Sequence, residues 1–121
     1  MRPLVWLGLL RNYGFLETTG RRTGQPRRAL VALEREAGAV WVVALLGRRA
    51  AHARNVEANP NVRVRLDRRW YAGRAEIKSD DDAYARAMRS PYAIDRLWVR
   101  TFAQDPVSIR IQLLTRTRED A

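Results

Sequence analysis

Two short stretches carry side chains suited to chemistry, and both are basic turns. The first runs Gly20-Arg21-Arg22-Thr23-Gly24-Gln25-Pro26-Arg27-Arg28, with four arginines, a hydroxyl and two glycines in nine residues. Glycine lets the backbone approach a ligand closely, and successive turn N–H groups can line a concave nest for an anion. Arginine adds bidentate, charge-assisted donors. The second is Gly47-Arg48-Arg49, which follows an apolar run and opens a predicted helix. A helix N-terminus favours negative charge. Two basic turns at the same kind of junction point to one shared anionic ligand. The plain structural alternative is a pair of solvated turns with incidental charge.

Other chemistry is scarce. The chain has no Cys and a single His, His52. It therefore offers no disulfide, no thiol nucleophile and no nitrogen/sulfur metal site. A Ser-His-Asp hydrolase would rest on His52 alone, and a lone His in a short helix is more often a surface or core-edge residue. There is no Walker loop, no GxGxxG after a strand and no HExxH. The run Asp80-Asp81-Asp82 reads as a helix start, since acids favour the positive end of the dipole.

The charge balance points the same way as the turns. The formal net charge is +10, with 23 Lys and Arg against 13 Asp and Glu. Lys78 is the only lysine. Genome composition accounts for Arg over Lys; it does not account for the excess of base over acid. That excess predicts anionic partners such as nucleic acid, an acidic membrane surface or a polyanionic small molecule.

The elements that must hold these turns follow from periodicity. At 121 residues the default is one domain, 1–121, and 46% hydrophobic residues argue for a packed core. Strand composition marks Leu16–Thr19, Arg28–Glu34 and the continuous apolar run Ala39–Leu46. A helix is predicted over Arg48–Ala58, ended by Pro60. Asn61–Leu66 alternates with period two, Asp67-Arg68 links it to a return strand Arg69–Lys78, and Val107–Leu113 alternates again. Between them lie two helices. One follows Ser79 and runs to about Arg89. The other spans about Pro91–Ala103 and is expected to bury some of Ile94, Leu97, Trp98 and Phe102. A short helix over about 3–12 and a polar tail over about 115–121 flank the domain. The apolar run Leu4–Leu10 falls short of the roughly 20 residues a spanning helix needs. Residues 1–12 are expected to pack on the body; a peripheral membrane contact through Trp6 and Leu7 is the alternative. With no export signal, a cytoplasmic protein is expected. Six strands and about four helices, antiparallel in the main, suit a small closed or half-closed barrel with outer helices.

A family resemblance attaches to these motifs. LETTGRRTGQPRRALVAL, a hydrophobic strand, a GRR turn, RNVEANPNVRVRL and RRWYAGRAEI together resemble the deazaflavin-dependent nitroreductase family. Its members are coenzyme F-420 oxidoreductases with a split β-barrel fold. The likeness covers about residues 15–79 well and the remainder loosely. It implies a mainly β (α+β), six-stranded antiparallel split barrel of the FMN-binding, pyridoxamine-phosphate-oxidase-like kind. It also implies a cofactor site: Arg21, Arg22, Thr23 and Arg27 for the phosphate and tail, Arg28, Ala29, Leu30 and Val31 beside the ring, then Val43, Ala44, Leu45 and Leu46. Arg48, Arg49, His52, Arg54 and Asn55 complete the wall. Tyr92 and Trp98 are expected on the substrate side. That cofactor is a flat ring joined to a phosphodiester and a chain of glutamates, and a +10 chain suits it. FMN is the less favoured cofactor. The expected reaction passes a hydride to an electron-poor acceptor such as a quinone, nitro compound or enone, and a homodimer is implied. The chain departs from the family at Ala44-Leu45-Leu46, where some members carry a Ser, and at His52, where a Trp is common. A competing reading is a non-catalytic basic barrel that binds another flavin, haem or nucleic acid, with Trp70 and Tyr71 stacking bases among Arg68, Arg69 and Arg74.

Overall fold

A computed structural model describes residues 13–36, 38–89 and 93–116. Six strands form: β1 (Tyr13–Thr19), β2 (Pro26–Glu36), β3 (Ala39–Ala44), β4 (Asn61–Leu66), β5 (Arg69–Lys78) and β6 (Val107–Arg116). Among the described residues there are three α-helices, α1 (Ala51–Ala58), α2 (Ala83–Ala87) and α3 (Ala93–Phe102), and one 3-10 turn at Gly47–Arg49. The strands close into a barrel in the order β1-β2-β3-β6-β5-β4, with every pairing antiparallel.

The period-two pattern explains the interior. β1 turns Leu16 inward, β4 turns Val62, Val64 and Leu66 inward, and β6 supplies Ile109 and Ile111. Each fully buried aliphatic contributes roughly 1.5–3 kcal/mol. α1 adds Ala53 and Val56 to the same core. Asp67 and Arg68 both have positive φ, 49° and 71°. A two-residue turn of that kind matches the twist of the β4–β5 hairpin. Gly47 also has positive φ, 65°, and a Cβ there would lie 2.3 Å from the Asp105 carbonyl oxygen. The chain can therefore leave β3 toward α1 only through a glycine.

Several boundaries differ from the sequence reading. The helix predicted from Arg48 begins as the 3-10 turn and becomes α-helical only at Ala51. The helix after Ser79 shortens to five residues. Its cap is Asp82, whose Oδ1 accepts the Ala85 N–H at 3.0 Å. α3 buries Val99, while Ile94, Leu97, Trp98 and Phe102 are each about half exposed. It lies on the outside of the barrel against α2, and nothing among the described residues covers its far face. β6 reaches Arg116 and pairs Thr115 and Arg116 with β5. The predicted N-terminal helix, Trp6, Tyr92 and the tail from 117 lie outside the described residues.

β3 is apolar on both faces because its outer face is covered too. The Arg86 guanidinium lies 3.7 Å above the Trp41 ring. It donates to both Asp81 oxygens, at 2.8 and 2.9 Å, and pairs with Glu34. Glu34 also accepts from Arg89 at 2.7 and 2.9 Å, and the Ser108 hydroxyl donates to Asp81. This network ties α2 to β2, β3 and β6. The hydrogen bonds from Arg86 and then from Ser108 hold the Asp81 carboxyl at about 2, below its ordinary 3.8, against an opposing desolvation effect. A carboxylate lowered in the folded state stabilises the fold above its ordinary pKa, and that stabilisation is lost as pH falls from 3.8 toward 2. Thermal melts of Asp81→Asn should show a flatter pH dependence in that window than the wild type. Arg86→Ala should cost about 1–3 kcal/mol at neutral pH, because it leaves carboxylates unpaired and uncovers Trp41.

Candidate functional site

The β1–β2 connection is a tight, hydrogen-bonded loop. Gly20 N–H donates to the Gln25 carbonyl at 2.8 Å, and Gly24 N–H donates to the Gly20 carbonyl at 2.8 Å. The Gln25 N–H donates to Thr23 Oγ1 at 3.2 Å. A Cβ on Gly20 would lie 3.0 Å from Thr23 Oγ1 and 3.1 Å from the Gln25 carbonyl oxygen, so the loop closes over a residue without a side chain. Gly24 takes φ +73°. Four basic side chains project from this small loop and the strand it enters.

Those four arginines divide in two. Arg28 belongs to the barrel's outer face. Its Nε donates to Glu17 at 2.7 Å, and its guanidinium lies 4.7 Å from the centre of the Trp70 ring. Arg21, Arg22 and Arg27 have no acidic partner among the described residues. Arg21 is held by α1: its backbone N–H and its Nη1 both donate to Asn55 Oδ1, at 3.3 and 3.1 Å. Partial desolvation, then the charges of Arg54 and Arg22, lower the Arg21 pKa. The charges of Arg54 and Arg22 thus bear on Arg21, and positive charge gathered in this way favours a bound anion.

The second basic turn is used differently. Arg48 pairs with Glu57 at 3.5 Å, and Arg49 donates to Gln104 at 2.6 Å. These contacts fasten the turn to α1 and to the loop before β6. The arginine that joins Arg21 comes from α1, as Arg54, and not from the GRR turn.

A groove of about 1430 Å³ runs along the outside of β2 and β3 beneath α2 and α3. One part is apolar, lined by Leu30, Val43, Leu45, Leu46, Ala50, His52 and Trp98; another is charged, with Glu34, Arg86 and Arg89. Val31 also borders it, with its side chain packed in the core. Ala44 is fully buried in the barrel interior, and Ala29 packs against the core, so neither presents a side chain to this face. Cradle and groove share two elements. β2 carries Arg27 and Leu30; α1 carries His52 on the groove and, three residues on, Asn55 under Arg21.

Sequence reasoning missed Thr18 and Trp41. Thr18 Oγ1 accepts from Asn55 Nδ2 at 3.0 Å, and both residues are buried. An inward-facing Thr near the end of a strand, two residues before a turn glycine, was the only signal. Trp41 borders the groove, and its Nε1 is buried with no hydrogen-bond partner among the described residues. His52 Nε2 is in the same position. The base-stacking reading loses its platform. Trp70 is 5% exposed and lies under Arg28 and Arg63, each 4.7 Å from its ring centre, while Tyr71 packs against the core.

The fold defines a split β-barrel protein. A protein of Listeria innocua assigned to the pyridoxamine 5'-phosphate oxidases superposes with a TM-score of 0.65 at 13% identity, over 96% of this chain and 94% of that one. The heme storage protein HutZ of Vibrio cholerae does so with 0.61 at 18%, over 95% and 93%. An F420 reductase does so with 0.59 at 17%, over 94% of each chain. No curated protein matches the chain at a significant level. The chain belongs to the F420H(2)-dependent quinone reductase family, which it matches over residues 9–112. The family's cofactor is the deazaflavin that the sequence resemblance implies, and its members are F-420-dependent oxidoreductases.

Burial pushes the His52 pKa below its ordinary 6.5, so the ring is neutral at pH 7. An unfolded chain protonates His52 more readily than the folded one, so stability falls as pH drops below 6.5. Melting temperatures between pH 7 and 5 should decline in the wild type and decline less in His52→Gln, and an NMR titration should put the imidazole below 6.5.

Proposed function

We propose that this chain binds F-420 with its anionic part at Arg21, Arg22, Thr23, Arg27 and Arg54 and its ring in the apolar part of the groove, and reduces an electron-poor acceptor, a quinone before a nitro compound or an enone. The observation that supports the reading is the cluster of Arg21, Arg22 and Arg54, without carboxylate partners among the described residues, with Arg21 tied by Asn55 to the helix that also borders an apolar groove. A flat ring with a polyanionic tail needs both halves of that arrangement.

When bound, the reduced deazaflavin supplies a hydride. The chain's own part is to bind, orient and exclude water. Arg21, Arg22 and Arg27 offer charge-assisted donors to phosphate and carboxylate oxygens. Leu30, Leu45 and Leu46 line a surface that strengthens polar contacts by keeping water out. Neutral His52 offers one hydrogen bond to a ring or acceptor oxygen, and Trp98 an aromatic wall. Arg48 and Arg49, engaged with Glu57 and Gln104, support the wall. We further propose a homodimer in which a second copy covers Ile94, Leu97, Trp98 and Phe102, and a cytoplasmic location. No helix among the described residues is long and apolar enough to cross a membrane.

Fluorescence titration with F-420 at low and at physiological salt tests the reading. Saturable binding that survives salt, followed by quinone turnover, is the expected result. A nucleic-acid binder making six or more phosphate contacts would instead lose about 1,000-fold in affinity over that range. Arg21→Ala combined with Arg27→Ala should weaken F-420 about 100-fold, at one charge-assisted contact each, with an unchanged circular dichroism spectrum. Sedimentation should give twice the chain mass for the wild type and a shift toward monomer for Leu97→Glu.

A further inference from the structure

We propose that Asn55 is a positioning residue whose buried carboxamide aims Arg21 at the anion while leaving the Arg21 charge unspent. The proposal rests on the reading of the β1–β2 loop as the cofactor's anion site and gives that site the part that orients it.

The geometry is specific. Asn55 is 3% exposed and lies on α1, 34 residues from Arg21. Its Oδ1 accepts from the Arg21 backbone N–H and from Arg21 Nη1, and its Nδ2 donates to Thr18 Oγ1. Both Arg21 groups are donors only, so the amide can be oriented in one way, with oxygen toward Arg21 and nitrogen toward Thr18. One side chain therefore fixes the loop backbone, the guanidinium and the end of β1 together. Thr18 is itself 2% exposed, so this amide sits in a setting where its hydrogen bonds are worth most.

The chemistry of the holder matters as much as its position. Elsewhere most arginines that serve the fold are held by carboxylates: Arg28 and Arg63 by Glu17, Arg86 and Arg89 by Glu34, Arg48 by Glu57. Arg49 and Arg110 meet amides, Gln104 and Gln112, but at the exposed surface and not in a buried setting like that of Asn55. A carboxylate orients a guanidinium and neutralises it in one act. At Arg21 the holder is neutral. The guanidinium keeps its full charge, although Arg54 and Arg22 stand close enough to disfavour it. A loop built only for stability would gain by exchanging Asn55 for an acid; a loop that must receive an anion would lose its function by that exchange.

Two ligands and a double-mutant cycle test this. Asn55→Ala should lower F-420 affinity about tenfold, the worth of a charge-assisted contact made in the wrong place, and leave unchanged the affinity for the same ring stripped of phosphate and glutamates. In an Arg21→Ala background, Asn55→Ala should cause no further loss, because it acts through Arg21. Unchanged F-420 affinity, equal losses for both ligands, or additive losses in the cycle would overturn the proposal. Asn55→Asp covers the case in which the alanine variant fails to fold. It keeps the size and the acceptor oxygen but meets the Arg21 charge. It should melt no lower than wild type at neutral pH and bind F-420 at least about tenfold more weakly. Wild-type affinity in Asn55→Asp would overturn the proposal. If the wild type binds no F-420, the functional reading fails by itself, and inorganic phosphate becomes the probe. Saturable amide shifts at Arg22–Gly24 in the wild type that vanish in Asn55→Asp uphold the proposal; no response in the wild type, or the same response in both, overturns it.

Discussion

Every strand of the barrel is hydrogen-bonded on both flanks, and that closure decides where the remaining groups can go. A closed six-stranded barrel is filled by its own inward side chains. Leu16, Val40, Val42, Val64, Ile109 and Ile111 occupy that interior with at most 1% exposure. No ligand fits among them. Binding has to take place on the outside and at the ends, where the helices lie and the loops turn. The groove along β2 and β3 lies on the outside and the arginine loop between β1 and β2 at an end, which is where the proposed site falls.

Charge is then distributed with a clear division of labour. Carboxylates are few, and most of those on the barrel's flank are committed to arginines that cover aromatic rings or anchor helices. Glu17 draws Arg28 and Arg63 over Trp70, and Glu34 with Asp81 draws Arg86 over Trp41. A guanidinium stacked on a desolvated ring adds about 2 kcal/mol beyond its ion pair. These arginines are part of the wall. Arg21 and Arg22 of the β1–β2 loop have no such partner among the described residues, and the group beneath Arg21 is the amide of Asn55. The excess of base over acid is therefore concentrated in effect, even though arginine is spread along the whole chain.

The helices complete the site in different ways. α1 is held by the core through Ala53 and Val56, so His52 and Asn55 are presented by a rigid element. α3 is held through little more than Val99 and leaves a broad apolar face outward. The groove is bounded on one side by a firm wall and on the other by an element whose outer face no other described residue covers.

Much of this was legible in the residues. Strands β4 and β5 and the turn between them follow from alternation and from Asp67-Arg68, and the β1–β2 loop follows from its glycines. The family followed from two linked motifs. What the residues could not show was partnership. Four arginines in one loop look alike in sequence; only the packed barrel brings Glu17 to Arg28 and Asn55 to Arg21, across 11 and 34 residues. Trp70 looked like a stacking surface until two strands, β2 and β4, brought guanidiniums over it. The helix starts at the Asp82 cap, while Asp81 is engaged by Arg86 of the same helix and by Ser108, which only the barrel brings to it. Local pattern determines which residues turn inward and where the chain reverses, since those depend on neighbours in sequence. Which charge is neutralised and which is left free depends on neighbours in space, and only barrel closure decided that.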